Sequence, residues 1–368
     1  MLAANTGWYL FNFRRNLIEH LSQEGFEVIL IAPIDRYLRE LASRGYHTHP
    51  IPLDSKSQNP FRELKTSFRL LQLLVRLKPA VVLSFTVKPN IYLGISTQLL
   101  NLPLLSTVTG LGTAFIAGGL LQKLVVMLYR ISQKRCAAIV FQNQDDEEMF
   151  KKLGIGSGRK KIIIPGSGVN VDRFPKSKYT HSTDKKVLFI GRLLYDKGVS
   201  ELVEAAKIIA PRYKEKGTVT FQFLGGLAPQ NLTSVSPDDV EKWKKFPFIE
   251  FLDWADDIRP AIKAAYCVAL PSYREGLPKS LIEAGSMGRP VIATNVPGCR
   301  EVVVNGENGL LCRPRSVDDL VSKIEQMLDF GGLDWEKMAE SGRRRVEIMF
   351  DERVIIKKYL ELLAEIQS

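Results

Sequence analysis

The feature that most restricts the fold is an alternation of short β-branched runs with longer helical patterns, repeated on both sides of a polar segment. The runs that predict strands lie at 28–32, 80–84, 104–108, 138–141 and 161–165, and again at 186–191, 218–224, 248–252, 267–270, 291–294 and 309–312. Strands that alternate with helices form parallel sheets. The sequence therefore predicts an α/β protein with two parallel-sheet domains.

The domain boundaries follow from the polar stretch at 175–184, which lacks periodicity and is typical of a linker. We place an N-terminal domain at 1–175, a linker at 176–186, a C-terminal domain at 187–349 and a last helix at 350–368. Only residues 1–4 precede the first turn, so the first strand is predicted to be very short or to lack its first residues. Because ligands bind beyond the carboxyl ends of parallel strands, we expect a site in the cleft between the domains.

Positive charge is concentrated in the first half of the chain. Of the formal net charge of +11, residues 1–175 contribute nearly all, with 22 of the 51 Lys and Arg but only 12 of the 40 Asp and Glu. This asymmetry indicates an anionic partner, either nucleic acid or the inner face of a membrane. The segment 60–78 supports a lipid-contacting surface, since apolar residues recur there at helical spacing beside basic ones, although most such helices simply pack on a core.

Other classes of protein are excluded by what the sequence lacks. Four cysteines and four histidines without framework or ligand spacing argue against a disulfide scaffold and a zinc site. There is no secretory signal, and the longest uncharged run, 89–122, is interrupted by proline and glycine, which makes it a poor membrane-spanning helix and favours a buried strand with a loop. No Walker loop, nucleophile elbow, Asp-x-Asp pair or dinucleotide fingerprint occurs.

The most informative motif contains Glu275 and Glu283 on either side of a predicted helix start at Pro278. Free backbone amides at a helix start bind anions, and Glu283 lies roughly 8 Å along the axis from Pro278. A nucleotide sugar has hydroxyl-bearing rings at both ends and a diphosphate between them, which suits one carboxylate at each end. The alternative is a pair of exposed glutamates on an ordinary strand–helix turn.

Two cations follow the first strand of the second domain, at Arg192 and Lys197 after Gly191. Fixed cations there would stabilise the charge that develops on a departing nucleoside diphosphate. The alternative is a solvated basic loop. A further glycine, Gly7, lies in the first turn of the chain, where it permits close approach of backbone to a ligand.

Together these residues resemble glycosyltransferase family 4, the retaining enzymes of the GT-B fold. The resemblance covers nearly the whole chain and includes 141–143, 166–174, 251–254 and 296–298. It implies two facing Rossmann-like domains, with a C-terminal helix that crosses back to the first. It assigns catalysis to Glu275, Arg192 and Lys197, donor binding to Glu283, Gly276, Leu277, Pro278, Gly7 and Gly191, and the acceptor side to Thr6, Thr109 and Gly110.

Within this family, segments 6–13 and 107–112 are similar to bacterial enzymes that build oligosaccharides on undecaprenyl diphosphate. This implies a UDP-sugar donor, a lipid-diphosphate-linked saccharide acceptor, no cofactor, no metal and no nucleic-acid partner. It also implies a peripheral position on the cytoplasmic face of the inner membrane, held by the basic N-terminal domain. Many family members carry a histidine in the loop that here holds Thr109, and this sequence has none there.

Two alternatives remain open at this point. One is a sugar-nucleotide epimerase on the same fold, which the scarcity of histidines disfavours. The other is a non-catalytic module that binds membrane or nucleic acid.

Overall fold

The computed structural model describes residues 1–53, 60–111, 119–229 and 231–367. The chain forms two units, one of Met1–Ser167 with Ile355–Ser368 and the other of Gly168–Val354. Each unit is built on a sheet in which every pair of neighbouring strands runs parallel. The predicted α/β class with two parallel-sheet domains is confirmed.

The sheet of the first unit has the strand order β3-β2-β1-β4-β5-β6-β7. Its strands are β1 (Leu2–Ala3), β2 (Ile29–Ala32), β3 (His47–Pro50), β4 (Val82–Phe85), β5 (Leu104–Val108), β6 (Ala138–Phe141) and β7 (Lys160–Ile163). The first strand is as short as the sequence predicts. The edge strand β3 was not predicted, because its polar composition gives no apolar alternation.

The helices of the first unit connect these strands, and a π-helical turn, Leu10–Arg14, lies between the first two. They are α1 (Gly7–Tyr9), α2 (Arg15–Gln23), α3 (Arg36–Ser43), α4 (Pro60–Leu77), α5 (Val87–Leu100), α6 (Gly119–Ser132), α7 (Gln144–Lys152) and the final α15 (Glu352–Gln367). From Ile355 onward α15 belongs to this unit. The expected return of the last helix is therefore present.

Side chains of successive strand residues in the first unit enter two different apolar layers, as a pleated strand requires. Leu30 packs with Leu17 of α2 and Ile356 of α15. Its neighbour Ile31 packs with Leu74 of α4 and Ile91 of α5. Helices α4, α5 and α6 thus cover one face of the sheet, and α2, α3 and α15 cover the other.

The expectation of strand and loop for 89–122 is wrong in part, because α5 occupies the beginning of this run. Pro89 lies in the first turn of α5, where a helix needs no backbone N–H donor. The side chain of Asn90 is buried and donates to the carbonyl of Thr107 on β5, at 2.9 Å. Among the described residues no helix is long and apolar enough to span a membrane.

The sheet of the second unit has the order β10-β9-β8-β11-β12-β13. Its strands are β8 (Asp184–Ile190), β9 (Thr218–Leu224), β10 (Ile249–Leu252), β11 (Cys267–Leu270), β12 (Val291–Thr294) and β13 (Gly309–Cys312). Its helices are α8 (Val199–Arg212), α9 (Pro237–Trp243), α10 (Arg259–Ala264), α11 (Lys279–Ser286), α12 (Cys299–Val302), α13 (Val317–Leu328) and α14 (Gly332–Met349). The polar stretch predicted as a linker lies within this unit, where Tyr179 packs against Trp335 and Tyr266.

Candidate active site

The candidate site lies where the strand order of the second unit reverses. Strands β8 and β11 are neighbours in the sheet, but the chain proceeds outward from them in opposite directions. Ligands of parallel α/β sheets bind beyond the carboxyl ends of the strands at such a switch point. Gly191 directly follows β8, and Glu275 lies in the loop that follows β11. Both predicted motifs of this domain therefore meet at one crevice.

The two loops at this crevice are fastened to each other by backbone contacts. The carbonyl of Asp196 accepts hydrogen bonds from the Tyr273 amide at 2.9 Å and from the Ser272 hydroxyl at 3.2 Å. Gly198 lies against Pro271, and a Cβ at this position would be 2.1 Å from the Pro271 carbonyl oxygen. These contacts fix the distance between the cationic loop and the glutamate loop.

Lys197 and Glu275 form an ion pair, in which the Lys197 ammonium donates to Oε1 of Glu275. Their side chains are 22% and 11% exposed, so the pair is partly shielded from water. The sequence predicts separate partners for these residues, a phosphate for the lysine and a sugar ring for the glutamate. In the structure each neutralises the charge of the other.

The loop after β12 packs against the backbone of Glu275. The amide of Glu275 donates to the carbonyl of Pro297 at 3.1 Å. Gly298 lies so close that a Cβ there would be 2.6 Å from the Glu275 carbonyl oxygen, and its φ of +85° also favours glycine. In the sequence, Gly298 belongs to a segment that resembles the family, but no role can be assigned to it there. An isolated glycine after a strand gives no hint of which loop it packs against.

Gly276, Leu277 and Pro278 connect Glu275 to α11. Pro278 is the N-cap residue and the helix begins at Lys279. The side chain of Pro278 makes no capping hydrogen bond. The positive end of the helix dipole therefore faces the segment where the resemblance implies a diphosphate.

Glu283 lies inside α11 and is 7% exposed. Its carboxylate is 3.7 Å from the ammonium of Lys279, one helical turn earlier. Burial raises the pKa of Glu283, while the charges of Lys279 and Arg173 oppose this rise. A carboxylate in such a dry position gains from ligand hydroxyls that donate to it.

Arg192 differs from Lys197 in its surroundings. Its side chain is exposed, and among the residues that the structure describes it forms no hydrogen bond or ion pair. A guanidinium in this state is available to an anionic ligand without first breaking an internal contact.

In the first unit, the predicted residues Thr6 and Gly7 make internal contacts. The Thr6 hydroxyl caps α1 by accepting from the Tyr9 amide at 3.0 Å. Gly7 packs against Asp35, where a Cβ would be 2.2 Å from a carboxylate oxygen. Asp35 itself caps α3 and accepts from the Trp8 amide. The glycine thus permits close packing of two helix starts.

Thr109 and Gly110 follow β5, and both are partly exposed. The switch point of this sheet lies between β1 and β4, because the strand order reverses there. The loop after β4 begins at Thr86, a β-branched residue with φ of +71°, which is a strained backbone conformation. The conformation of Thr86 could not be predicted from the sequence, since nothing in a strand–threonine–helix pattern indicates a positive φ.

Comparison with known proteins identifies the family. Residues 184–329 match the model described as "Glycosyl transferases group 1", and residues 1–143 match "Glycosyl transferase 4-like". The chain is a GT-B glycosyltransferase. Sucrose-phosphate synthase from Thermosynechococcus elongatus has the same fold, with a TM-score of 0.81 at 19% identity over 99% of this chain and 98% of that one. The family, the fold and the enzyme class that the sequence predicts are confirmed.

Curated relatives of this glycosyltransferase align over most of its length. An N,N'-diacetylbacillosaminyl-diphospho-undecaprenol α-1,3-N-acetylgalactosaminyltransferase of Campylobacter jejuni is 27% identical, covering 98% of this chain and 96% of the relative. A UDP-Gal:α-D-GlcNAc-diphosphoundecaprenol α-1,3-galactosyltransferase of Escherichia coli is 25% identical, covering 84% and 82%. The Anabaena protein HepE, solved with UDP and glucose, has a TM-score of 0.79 at 17% identity over 99% of this chain and 98% of that one.

Proposed function

We propose that this glycosyltransferase moves a hexose or N-acetylhexosamine from a UDP-sugar to a saccharide linked to a lipid diphosphate. The product would serve the assembly of a bacterial surface glycan or of a glycoprotein oligosaccharide. The names of the Campylobacter and Escherichia relatives, which both specify diphospho-undecaprenol acceptors, support this substrate class.

The observation that supports the donor assignment best is the contact between Lys197 and Glu275. In a nucleotide sugar the β-phosphate is bonded to the anomeric carbon, so groups that bind the phosphate and the hexose must be neighbours. Glu283 lies further along α11, on the far side of Gly276–Pro278. This order matches hexose, diphosphate and ribose along one donor molecule.

In the proposed reaction, an acceptor hydroxyl attacks the anomeric carbon from the face that the diphosphate leaves, so the configuration is retained. The bond from the anomeric carbon to the β-phosphate oxygen breaks through an oxocarbenium-like transition state. Arg192, Lys197 and the amides near Gly276–Pro278 stabilise the negative charge of the departing UDP. A phosphate oxygen of UDP takes the proton of the acceptor hydroxyl.

The two glutamates have binding roles in this scheme. Glu275 accepts hydrogen bonds from hexose hydroxyls, and Glu283 accepts them from the ribose. Because side-chain cations supply the positive charge, the scheme assigns no step to a metal ion. On the acceptor side we assign Thr6, Thr109 and Gly110, and we retain Gly7 and Gly191 as donor-side glycines.

The proposed location is the cytoplasmic face of the inner membrane, with peripheral attachment through the basic first unit. The positive charge of residues 1–175 supports this location, because both an anionic bilayer and a lipid diphosphate attract it.

Mass spectrometry of the purified enzyme with a panel of UDP-sugars and a short-chain lipid-diphosphate saccharide tests the proposal. The acceptor should gain the mass of one hexosyl or N-acetylhexosaminyl residue, and UDP should appear in equal amount. Arg192→Ala should reduce the rate of product formation at least a hundredfold, whereas Arg212→Ala, which changes an exposed arginine at the end of α8, should leave it unchanged. Epimerisation of the donor without any acceptor would contradict the proposal.

A further inference from the structure

Tyr273 lies two residues before Glu275, in the loop that connects β11 to α11. Its amide donates to the carbonyl of Asp196 at 2.9 Å, which ties this loop to the cationic loop. Its side chain is only partly exposed, and the proposed reaction gives it no task. The hydroxyl of a tyrosine needs a hydrogen-bond partner when it leaves water, so the contacts of this side chain indicate what it does.

The partner of the Tyr273 hydroxyl is Glu201, in the first turn of α8. The hydroxyl donates to Oε1 of Glu201. The other carboxylate oxygen, Oε2, is buried, and among the residues that the structure describes it accepts no hydrogen bond. Burial and the contact with Glu201 raise the pKa of Tyr273, so the hydroxyl keeps its proton and remains a donor. Within the described part of the chain, the Glu201 carboxylate therefore depends on Tyr273.

The aromatic ring of Tyr273 has a second partner in Arg315, which lies between β13 and α13. The Cζ atom of Arg315 is 4.5 Å from the ring centroid, a distance typical of a cation–π contact. Helices α8 and α13 pack against each other. Both partners of the tyrosine side chain therefore belong to one packed pair of helices and the segment that leads into it.

The contact between Tyr273 and Glu201 joins the same two segments as the ion pair in the crevice. Lys197 lies two residues before α8 begins, and Glu275 lies two residues after Tyr273. In the proposed reaction a bound donor engages both members of the ion pair, the lysine through a phosphate and the glutamate through the hexose. The ion pair then no longer fixes the Glu275 carboxylate. The hydrogen bond from Tyr273 to Glu201 involves no group assigned to the donor, so it persists when the donor binds.

We propose that Tyr273 and Glu201 are positioning residues, which hold Glu275 towards the hexose of the bound donor. This inference rests on the proposed function, because it deepens the role assigned there to Glu275. Neither residue touches the reacting atoms, and their effect passes through the backbone from Tyr273 to Glu275. A carboxylate that is already oriented binds the hexose without first losing the freedom of its loop.

Isothermal titration of the full chain without acceptor tests this role. The titrants are UDP and the UDP-sugars of the panel, among them UDP-galactose and UDP-N-acetylgalactosamine. Tyr273→Phe removes the hydroxyl and keeps the ring against Arg315. Its affinity for the UDP-sugar that the parent binds most tightly should fall about fivefold or more, whereas its affinity for UDP should stay within about twofold. With acceptor present, kcat should fall about tenfold or more.

Variants of Glu201 test the same contact from the side of α8. Glu201→Ala removes the acceptor of the hydrogen bond and should show the same loss as Tyr273→Phe, and the double variant should be no worse than either. Glu201→Gln still accepts from the hydroxyl and should keep the affinity for the UDP-sugar within about twofold of the parent. Tyr213→Phe is the matched control, since it removes a hydroxyl that donates to the Leu328 carbonyl at 3.1 Å, at the far end of α8. Both of its affinities should match those of the parent.

Equal changes in the affinities for UDP and for the UDP-sugar in Tyr273→Phe, including no change in either, would overturn the proposal, because a general loosening of the fold does not select the hexose. A Glu201→Gln protein that binds the UDP-sugar as weakly as Glu201→Ala would also overturn it. Transfer to the lipid-linked acceptor is measured separately. Its absence in the parent, together with the expected difference between UDP and the UDP-sugar, would overturn the proposed function and leave the two positioning residues standing.

Discussion

The ammonium of Lys197 donates to the carboxylate of Glu275 across the crevice beyond β8 and β11. The two residues are 78 positions apart in the chain, and α8, β9, α9, β10, α10 and β11 lie between them. A diphosphate that approaches Lys197 therefore meets a carboxylate already in contact with that lysine. The pair holds the lysine in place and also opposes the binding of a second anion.

The first prediction concerns Glu275→Gln, which removes the negative charge and keeps the shape. UDP alone should bind about three- to tenfold more tightly to this variant, because removal of one nearby like charge is worth about 1 kcal/mol. Turnover of the UDP-sugar should fall at least a hundredfold, since the hexose loses its carboxylate partner. Isothermal titration with UDP and steady-state kinetics separate the two effects. Weaker binding of UDP by the variant would contradict this prediction and show that Glu275 favours binding of the diphosphate.

A second prediction concerns Glu283, whose pKa is raised by burial. A carboxyl with a raised pKa in the folded state contributes stability below its unfolded pKa and loses that contribution as the pH rises through the folded pKa. Glu283→Gln should remove this loss, so the variant should be at least as stable as the parent at pH 8. UDP should nevertheless bind at least tenfold more weakly, because an amide replaces the carboxylate that accepts from the ribose.

Urea unfolding at pH 5 and pH 8 together with UDP titration measures both parts of this prediction. Glu241→Gln, which changes an exposed glutamate on α9, is the control. Its free energy of unfolding and its affinity for UDP should stay close to those of the parent. A Glu283→Gln protein that is clearly less stable at pH 8 and still binds UDP would give Glu283 a structural role only.

The second unit could be predicted well because its strands and its candidate residues can be recognised from short stretches of sequence. Each strand there contains apolar residues in a short run, and Arg192, Lys197 and Glu275 lie in the loops that follow β8 and β11. The switch-point rule then brings Arg192, Lys197 and Glu275 to one crevice without any knowledge of packing. The pairing of Lys197 with Glu275 could not be predicted, since it depends on backbone contacts between two distant loops.

The first unit was harder to predict, for two physical reasons. Helix α5 contains Pro89 and Asn90 near its start, and both residues disfavour helix interiors. They are tolerated there because the first turn needs no donor from Pro89 and because Asn90 bonds to Ser84 and Thr107. The second reason is that some contacts join residues that are far apart in the chain. Gly7, for example, packs closely against Asp35, and nothing in the sequence around Gly7 indicates this partner.

The third prediction compares two glycines with nearly the same φ. Gly298 and Gly306 have φ of +85° and +82°, but a Cβ meets Glu275 at the first position and nothing within 4 Å at the second. Gly306→Ala should therefore lower the free energy of unfolding by about 1 kcal/mol, through backbone strain alone. Gly298→Ala should cost about 2–4 kcal/mol, because the Glu275 backbone must also move.

Chemical denaturation gives these stability differences, and kinetics show their effect on the site. Turnover should fall at least tenfold in Gly298→Ala, because the shift moves Glu275 relative to its ligand. It should be unchanged in Gly306→Ala. Equal stability and equal turnover in the two variants would mean that the loop after β12 does not position Glu275.

The last prediction contrasts the two cations of the crevice. Arg192 is exposed and makes no hydrogen bond or ion pair with other described residues, so Arg192→Ala should change the free energy of unfolding by less than about 0.5 kcal/mol. Lys197→Ala leaves the Glu275 carboxylate without its partner in a partly shielded position and should cost about 1–2 kcal/mol. Both variants should lose at least a hundredfold in kcat, because each removes a charge from the leaving diphosphate.

The difference between the two cations should also appear with the double variant Lys197→Ala/Glu275→Ala. Removing both partners of the ion pair should recover part of the stability lost in Lys197→Ala, because no unpaired carboxylate remains. Activity should not recover, since the cation at the β-phosphate and the carboxylate at the hexose are both missing. Recovery of turnover along with stability would mean that Lys197 serves the fold and that Arg192 alone stabilises the departing UDP.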